Sequence, residues 1–309
     1  MRQVQLMDQA PGATRTRFWR KAKDQAGWFL FIAPNVLAFL LFSLSCYVFV
    51  VYLSFQRWDL IGVRKFIGLD NFARLATDPI LAKSFANIAK YVLMFVLPVS
   101  AVSLGLALLA NRRIRGMYFF RSAYFLPWVT STAVIAVIWN FALIPRGEGP
   151  LNYLLGLIGI PPQLWLVDTN LALPSLAGIN IWTSAGYYMV LWLAGLQSIP
   201  ETLYDAAKMD GADSWALFRH VTLPMLSTTT VFILTITIIG AFQMFGLVYT
   251  MTGGGPMYAT ISPVYYIWQT AFVRYHMGYA SAVSLALFAV IMVATVLQRK
   301  ITGWGEEMY

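Results

Sequence analysis

Long runs without any charged side chain constrain the fold of this chain more than any other feature. No Asp, Glu, Lys or Arg occurs between Asp24 and Arg57, and five further uncharged runs each exceed 20 residues. A transmembrane helix needs about 20 apolar residues, and a charge at the bilayer centre costs about 2.5–3.5 kcal/mol on insertion scales. Of the 309 residues, 59% are hydrophobic and only 11% are charged, which lies outside the soluble globular range. The sequence therefore predicts an all-α integral membrane protein.

One membrane domain is predicted over residues 28–309, after a basic cytoplasmic tail at 1–27. It should contain six transmembrane helices, at about 28–53, 87–110, 121–141, 171–196, 226–249 and 279–297. Pro127 is expected to kink the third helix. Residues 57–85 should form an outer loop with a short turn at 68–72. Two further apolar segments, within 142–169 and 257–273, contain prolines and are too short to count as spans.

The basic residues, which give the chain a net charge of +9, alternate in a way that orients it in the membrane. They precede the first predicted span, recur between the second and third, and follow the fourth and sixth. These residues are Arg15, Arg17, Arg20, Lys21, Lys23, Arg112, Arg113, Arg115, Arg121, Lys208, Arg219, Arg299 and Lys300. Such enrichment is typical of cytoplasmic loops. We therefore expect both termini in the cytoplasm and the chain in a bacterial or archaeal plasma membrane, although the basic residues of the 57–85 loop are an exception.

Residues for catalysis or energy conversion are missing from the sequence. There is no Gly-x-x-x-x-Gly-Lys-Ser/Thr loop for ATP phosphates, and His220 and His276 are too far apart for a familiar metal site. The intramembrane carboxylates of proton-driven carriers are also absent, and the single cysteine, Cys46, excludes an intrachain disulfide. We expect a non-enzyme with no cofactor or metal of its own, driven by another chain. A secondary carrier, a membrane-bound transferase and a structural scaffold are the rival classes.

A polar insert at 197–225 separates two of the uncharged runs, and its first half has the signals of a short helix. Pro200 suits the first helical position, and the Glu201 carboxylate complements the positive end of the helix. Asp205 lies four residues after Glu201 and close to Lys208, so these side chains share a face. Asp210-Gly211 suits the helix end, because glycine adopts the left-handed conformation there.

The second half of the insert predicts another short helix. Asp213 or Ser214 can cap it, Trp215, Phe218 and Arg219 should lie on it, and Leu223-Pro224 should end it. In a membrane protein this helix–Gly–helix insert, residues 197–225, must lie in water, where another protein can dock on it. We call it the coupling loop.

Polar side chains in the spans mark a candidate route through the membrane. Asn180, Thr183, Ser184 and Tyr187 recur at helical spacing, so they form one polar stripe on the fourth span. Polar groups in a span must face protein or water, so the stripe indicates either a solute pathway or interhelical hydrogen bonds. The further candidates for the pathway are Tyr188, Asn140 and Gln243.

The coupling loop also carries a recognisable spacing. Asp205-Ala206-Ala207 is followed by Gly211 and, after nine intervening residues, by Val221-Thr222-Leu223-Pro224. This pattern is similar to the EAA loop of membrane subunits of binding-protein-dependent ABC importers, with Asp for Glu at 205 and Val for Ile at 221. Further motifs resemble carbohydrate permeases of the maltose-permease type, here without a large extra outer domain. They are Gly68-Leu69-Asp70-Asn71-Phe72, Phe120-Arg121 with Leu126-Pro127-Trp128, Thr252-Gly253-Gly254-Gly255-Pro256 and Gly278-Tyr279-Ala280-Ser281-Ala282.

The resemblance implies a type I ABC importer permease fold and a defined set of partners. These are a second, homologous permease, two ATP-binding subunits that hold ATP and Mg, and an extracytoplasmic binding protein. The implied cargo is a sugar or oligosaccharide, with glycerol phosphate or another polar solute as the alternative. The residues implied to couple to the ATPase are Glu201, Asp205, Ala206, Ala207, Asp210, Gly211, Trp215, Leu223 and Pro224.

Overall fold

A computed structural model of the chain describes residues 31–60, 62–112, 115–145 and 149–302. The predicted tail at 1–27 and the first residues of the 28–53 span lie outside these ranges. The chain divides into two compact units, Met1–Leu53 and Ser54–Tyr309. The described part of the first unit, residues 31–53, is one apolar helix, and all other described helices belong to the second unit.

The described residues are predominantly helical. The helices are α1 Phe31–Ser54, α2 Asp70–Thr77, α3 Pro79–Ala110, α4 Met117–Val129, α5 Thr132–Ala142, α6 Pro150–Leu157, α7 Ala172–Gln197, α8 Glu201–Met209, α9 Ser214–Met225, α10 Ser227–Phe242, α11 Pro263–Trp268 and α12 Met277–Ile301. π-Helical turns occur at Phe39–Leu44, Phe218–Thr222, Val248–Thr252 and Gln269–Val273. Two short strands, β1 Gln56–Arg57 and β2 Lys65–Phe66, pair antiparallel.

The core of the second unit is built on the contact between α3 and α7, the most extensive between any two described elements. Tyr91 of α3 and Met189 of α7 are fully buried, and the Trp192 indole N–H donates to the Ser103 hydroxyl at 3.1 Å. Packing of this kind holds helices together in lipid, where apolar burial alone does not.

Helix α4 crosses α7 so closely that only glycine fits at the crossing. A Cβ added to Gly186 would lie 1.9 Å from the backbone oxygen of Tyr124. On the same helix, Gly178 has open space around it. Gly186 therefore sets the separation of α4 and α7.

Three described helices, α1, α3 and α12, are each long and apolar enough to cross a membrane. The count rises to five if two bent helix pairs are each taken as one span. Helix α7 is 26 residues long, and its bounds lie within one residue of the predicted span at 171–196, although it is not one of these three. Together these elements are consistent with six crossings.

The predicted start of the second span at 87 is wrong, because α3 begins at Pro79. The Asp78 side chain caps this helix by accepting hydrogen bonds from the backbone N–H groups of Ile80 and Leu81. The extra turns, residues 79–86, carry Lys83, whose charge interrupts the apolar pattern there.

The third and fifth predicted spans are wrong as single helices. The third divides into α4 and α5, which meet at 96°. The break lies at Thr130 and Ser131, whose ψ angles of 137° and 136° are non-helical, and Pro127 lies within α4. In the fifth, α10 ends at Phe242, well short of the predicted end at 249.

The segments between spans contain more helix than predicted. Helix α2 occupies Asp70–Thr77, where a short turn was expected over 68–72. The buried Asn71 amide donates to the backbone oxygens of Ser54 and Gln56, at 2.8 and 2.9 Å, and so fixes α2 against β1. The two apolar segments that the sequence excluded as spans form the short helices α6 and α11.

A cluster around Asp78 joins three helices near the start of α3. One carboxylate oxygen caps α3, and the other accepts hydrogen bonds from the hydroxyls of Tyr266 on α11 and Tyr279 on α12. Partial burial raises the pKa of Asp78, but the two tyrosine and two backbone hydrogen bonds outweigh it and hold the pKa below its usual range.

Candidate functional site

The first helix of the coupling loop, α8, ends at Gly211 as predicted. Gly211 has a φ of +85°, which only glycine adopts without strain. Its N–H donates to the Lys208 oxygen at 3.0 Å, and the Ala212 N–H donates to the Ala207 oxygen at 2.9 Å. These two bonds form a Schellman motif, which fixes the angle at which the chain leaves α8. At the other end, Pro200 precedes the first helical residue as the N-cap, one position earlier than predicted.

The second helix, α9, starts as predicted but continues further. Asp213 caps it by accepting a hydrogen bond from the Ala216 N–H at 2.7 Å. The prediction that Leu223-Pro224 ends the helix is wrong, since α9 extends to Met225. The turn over Phe218–Thr222 is π-helical, so the regular α-helical pairing that Pro224 would interrupt is already absent there. Helix α9 then meets α10 at 66°.

One hydrogen bond ties the two helices of the coupling loop together. The Tyr204 hydroxyl of α8 lies 3.1 Å from the Thr222 hydroxyl of α9. Thr222 is buried, whereas the loop's charged side chains are exposed. Lys208 pairs with Asp205 at 3.3 Å, an exposed pair that contributes little to stability. The Schellman turn at Gly211 and the Tyr204–Thr222 bond thus connect the two helices at two points.

The coupling loop presents an apolar surface among its charges. Trp215 is 65% exposed, Met209 is 88% exposed, and Leu203 and Leu223 are also exposed. All nine residues predicted to couple are at least partly accessible: Glu201, Asp205, Ala206, Ala207, Asp210, Gly211, Trp215, Leu223 and Pro224. Large apolar side chains grouped on a polar loop mark a surface for another protein.

A cavity of about 970 Å³ lies beside the coupling loop. Its wall combines Arg112, Arg115 and Arg121 with Glu201 and Lys208. The Arg121 guanidinium donates to the backbone oxygen of Ala110 at 2.7 Å, so it ties the start of α4 to the end of α3. Arg112, Arg115 and Arg121 therefore lie at the same end of the second unit as α8.

The predicted polar stripe lies along α7, and three of its four side chains form hydrogen bonds within the chain. The Asn180 amide donates to the Tyr91 hydroxyl of α3 at 2.6 Å. The hydroxyls of Thr183 and Ser184 donate to the backbone oxygens of Ile179 and Asn180 in the preceding turn. Ser184 is only 1% exposed, whereas Asn180 and Thr183 are half-buried.

Aromatic side chains continue the stripe towards α4. Tyr187 stacks on Trp128 with ring centroids 4.4 Å apart and an interplanar angle of 16°. Tyr188, which is 5% exposed, meets Tyr187 edge-on at 5.2 Å. The sequence predicted Tyr187 and Tyr188 but missed Trp128 and Tyr91 as their neighbours. Trp128 stands in the Leu126-Pro127-Trp128 motif, which was its only sequence signal.

The remaining pathway candidates lie on other elements. Asn140 is half-buried near the end of α5, and Gln243 is exposed directly after α10. No hydrogen bond described within residues 31–302 joins either side chain to the stripe. The chain thus brings five of the seven predicted pathway residues together on α7: Asn180, Thr183, Ser184, Tyr187 and Tyr188.

Long apolar helices, broken helix pairs and an exposed helix–Gly–helix loop define a membrane transport subunit. The chain belongs to the family of binding-protein-dependent transport system inner membrane components, whose model matches residues 100–302. Its fold is that of a type I ABC importer permease.

Relatives support this assignment over most of the chain. The arabinooligosaccharides transport system permease protein of Bacillus subtilis is 33% identical over 95% of this chain and 94% of its own. The sn-glycerol-3-phosphate transport system permease protein of Agrobacterium fabrum is 33% identical over 87% of this chain and 92% of its own. A bacterial ABC transporter that imports the acidic polysaccharide alginate has a similar fold, with a TM-score of 0.80 at 22% identity over 93% of this chain and 98% of that one.

Proposed function

We propose that this chain is one of two permease subunits of an ATP-driven importer for a sugar or oligosaccharide. The family assignment and the arabinooligosaccharide permease relative support this cargo. A glycerol phosphate is the alternative, favoured by the sn-glycerol-3-phosphate permease relative. The observation that carries the proposal is the exposed coupling loop at 197–225, whose two helices meet at the Gly211 turn.

The coupling loop acts as a lever between the transport pathway and two ATPase subunits that bind ATP and Mg. Trp215 and Met209 supply an apolar surface for a groove on one ATPase subunit. The Schellman turn at Gly211 sets the lever angle, and the bend between α9 and α10 passes movement into the membrane. The sequence has no phosphate-binding loop, which agrees with ATP hydrolysis in partner chains.

The distribution of basic residues supports one orientation of the chain in the membrane. Basic residues at 112–121 and 299–300 lie on the side of the coupling loop if both termini are cytoplasmic. An extracytoplasmic binding protein then delivers the solute at the opposite end, where α3 begins.

The pathway is formed where α7 faces the second permease. Asn180, Thr183 and Tyr187 are accessible enough to meet a solute, and the Tyr187–Trp128 pair offers an aromatic surface to a sugar ring. Asn140 and Gln243 would contribute from α5 and the end of α10. Ser184 and Tyr188 are buried and support the stripe from behind.

Site-directed cross-linking tests the docking surface. In a Cys46→Ser background, Met209→Cys is treated with a short bifunctional thiol reagent in membranes that contain the assembled transporter. Met209 is 88% exposed on the coupling loop, and the matched control Met257→Cys is 85% exposed at the opposite end. We expect a product with the ATPase subunit from Met209→Cys only. No such product, or an equal amount from Met257→Cys, would contradict the proposed docking.

A further inference from the structure

A cavity of about 650 Å³ lies at the start of α3, at the end opposite to the coupling loop. Its wall includes Lys83, Asn87 and Lys90 of α3, Thr169 and Asn170 before α7, and Met257. Of the described residues that line it, two carry positive charge and none carries negative charge.

The two lysines face the cavity because of their spacing. Lys83, Asn87 and Lys90 are separated by four and three residues, so they lie on one face of α3. The buried Asn87 amide donates to the backbone oxygens of Tyr258 and Ile261, at 2.8 and 3.1 Å. It thereby holds the loop around Met257 as the opposite wall.

Two carboxylates that lie close in sequence to residues of the cavity wall, Asp78 and Asp168, have other hydrogen-bond partners. Asp78 accepts hydrogen bonds from Tyr266, Tyr279 and the start of α3. Asp168 accepts from the backbone N–H groups of Asn170 and Leu171. Both lysines are exposed, and no ion pair described within the second unit includes either one.

Two unpaired lysines in one cavity create a field that selects by charge. A concave, partly apolar wall focuses that field and raises the local concentration of anions. Lys90 is conspicuous because it directly precedes an uncharged run of α3, where a charge facing lipid is costly. A cavity facing water removes this cost.

We propose that this cavity is the entrance of the pathway and admits an anionic polyhydroxy solute, with Lys83 and Lys90 selecting for its charge. The anion is the carboxylate of an acidic sugar or the phosphate ester of a sugar or polyol. This inference rests on the proposed transport function and narrows its substrate class.

A thiol-labelling experiment measures the electrostatic potential of the cavity without a transport assay. In a Cys46→Ser background, Thr169→Cys is labelled in the assembled transporter with an anionic and a cationic methanethiosulfonate of similar size. The ratio of their rates is normalised to that for free β-mercaptoethanol. We expect the anionic reagent to be favoured about tenfold, the lower end of the range of electrostatic rate effects. The ratio should fall at least threefold when Lys83→Gln and Lys90→Gln are added.

A second variant controls for the charge of the wider surface. Lys65→Gln removes one positive charge from β2, outside the cavity, and should leave the ratio unchanged. A ratio near that of β-mercaptoethanol, or one that the cavity variants do not change, would overturn the proposal.

An uptake assay tests the proposed substrate class and the proposed transport function separately. Proteoliposomes with the whole transporter and its binding protein are given trigalacturonate, sn-glycerol 3-phosphate or maltotriose. We expect ATP-dependent uptake of one of the two anions, with KM raised about tenfold by the double lysine variant. Uptake of maltotriose alone, or an equal effect on charged and neutral solutes, would overturn the charge selection but keep the transport function. No ATP-dependent uptake of any solute would contradict both.

Discussion

The Tyr279 hydroxyl donates a hydrogen bond of 2.7 Å to the Asp78 carboxylate, although 201 residues separate them in sequence. The same carboxylate oxygen accepts from Tyr266, and its other oxygen caps α3. Arg74 lies over the Tyr279 ring, 4.2 Å from the centroid. One acidic side chain thus connects α3, α11 and α12 at the end where the proposed pathway opens.

Removal of the charge at Asp78 should loosen this end of the molecule. Asp78→Asn weakens four hydrogen bonds to a carboxylate, and we expect a loss of about 2 kcal/mol of stability, since bonds to charged groups contribute about 1.5–3 kcal/mol each. Tyr279→Phe removes one bond but keeps the ring beside Arg74, so its effect should be smaller. Thermal unfolding of the purified complex measures both, and an Asp78→Asn midpoint equal to the wild type would disprove this role.

The same cluster should give a defined pH dependence. The pKa of Asp78 is lower in the folded chain than in the unfolded one, so its stabilising contribution is complete above the unfolded value and is lost as pH falls through the folded one. The difference in unfolding midpoint between wild type and Asp78→Asn should be constant from about pH 8 to 5 and should narrow below about pH 4. A difference that grows on acidification would contradict the sign of this shift.

The close crossing of α4 and α7 predicts a steric effect at one glycine and none at another. Gly186→Ala places a Cβ 1.9 Å from the Tyr124 oxygen, and a backbone atom cannot move aside. We expect a cost of about 1–3 kcal/mol from overpacking. Gly178→Ala adds the same methyl group to the same helix in open space and should be nearly neutral. Equal unfolding midpoints for the two variants would rule out the crossing.

A double substitution separates the two interpretations of the polar stripe. Asn180→Leu leaves the buried Tyr91 hydroxyl without its partner, at a cost of about 1–3 kcal/mol. Adding Tyr91→Phe removes the stranded hydroxyl and should restore the unfolding midpoint. If Asn180 contacts the solute, uptake stays low in the double variant. Full recovery of uptake would instead show that Asn180 serves only to join α3 and α7.

Much of this architecture was predictable because charge and turn chemistry are local signals. The uncharged runs predicted the ends of α7 within one residue and those of α12 within four, which is the usual accuracy for helix boundaries read from sequence. Gly211 and Asp213 predicted the hinge and cap of the coupling loop, since each acts on its own backbone.

The features that were predicted incorrectly or not at all depend on contacts that the spacing of residues in the sequence does not indicate. The start of α3 was misplaced because Lys83 interrupts the apolar pattern of the first turns, which Asp78 caps. The 96° break between α4 and α5 falls at Thr130 and Ser131, and neither residue is a glycine or proline that would indicate a break. The Tyr91–Asn180 bond joins residues that are 89 positions apart, so nothing in the local sequence indicates it.

The lever role of the coupling loop is the central claim, and Gly211 tests it most directly. Gly211→Val forces a β-branched residue into a left-handed conformation, at a cost of about 1–2 kcal/mol, although no atom lies within 4 Å of the added Cβ. Gly211→Asn tolerates this conformation better. Gly68→Val imposes the same strain in the 57–85 loop, where φ is +60° and the space is equally open.

The decisive measurement is the number of solute molecules transported per ATP hydrolysed, in proteoliposomes with the complete transporter and loaded binding protein. We expect Gly211→Val to lower this ratio at least fivefold while the complex still assembles, and Gly211→Asn and Gly68→Val to stay within about twofold of the wild type, since only the first strains the lever. An unchanged ratio in an assembled Gly211→Val complex would contradict the account.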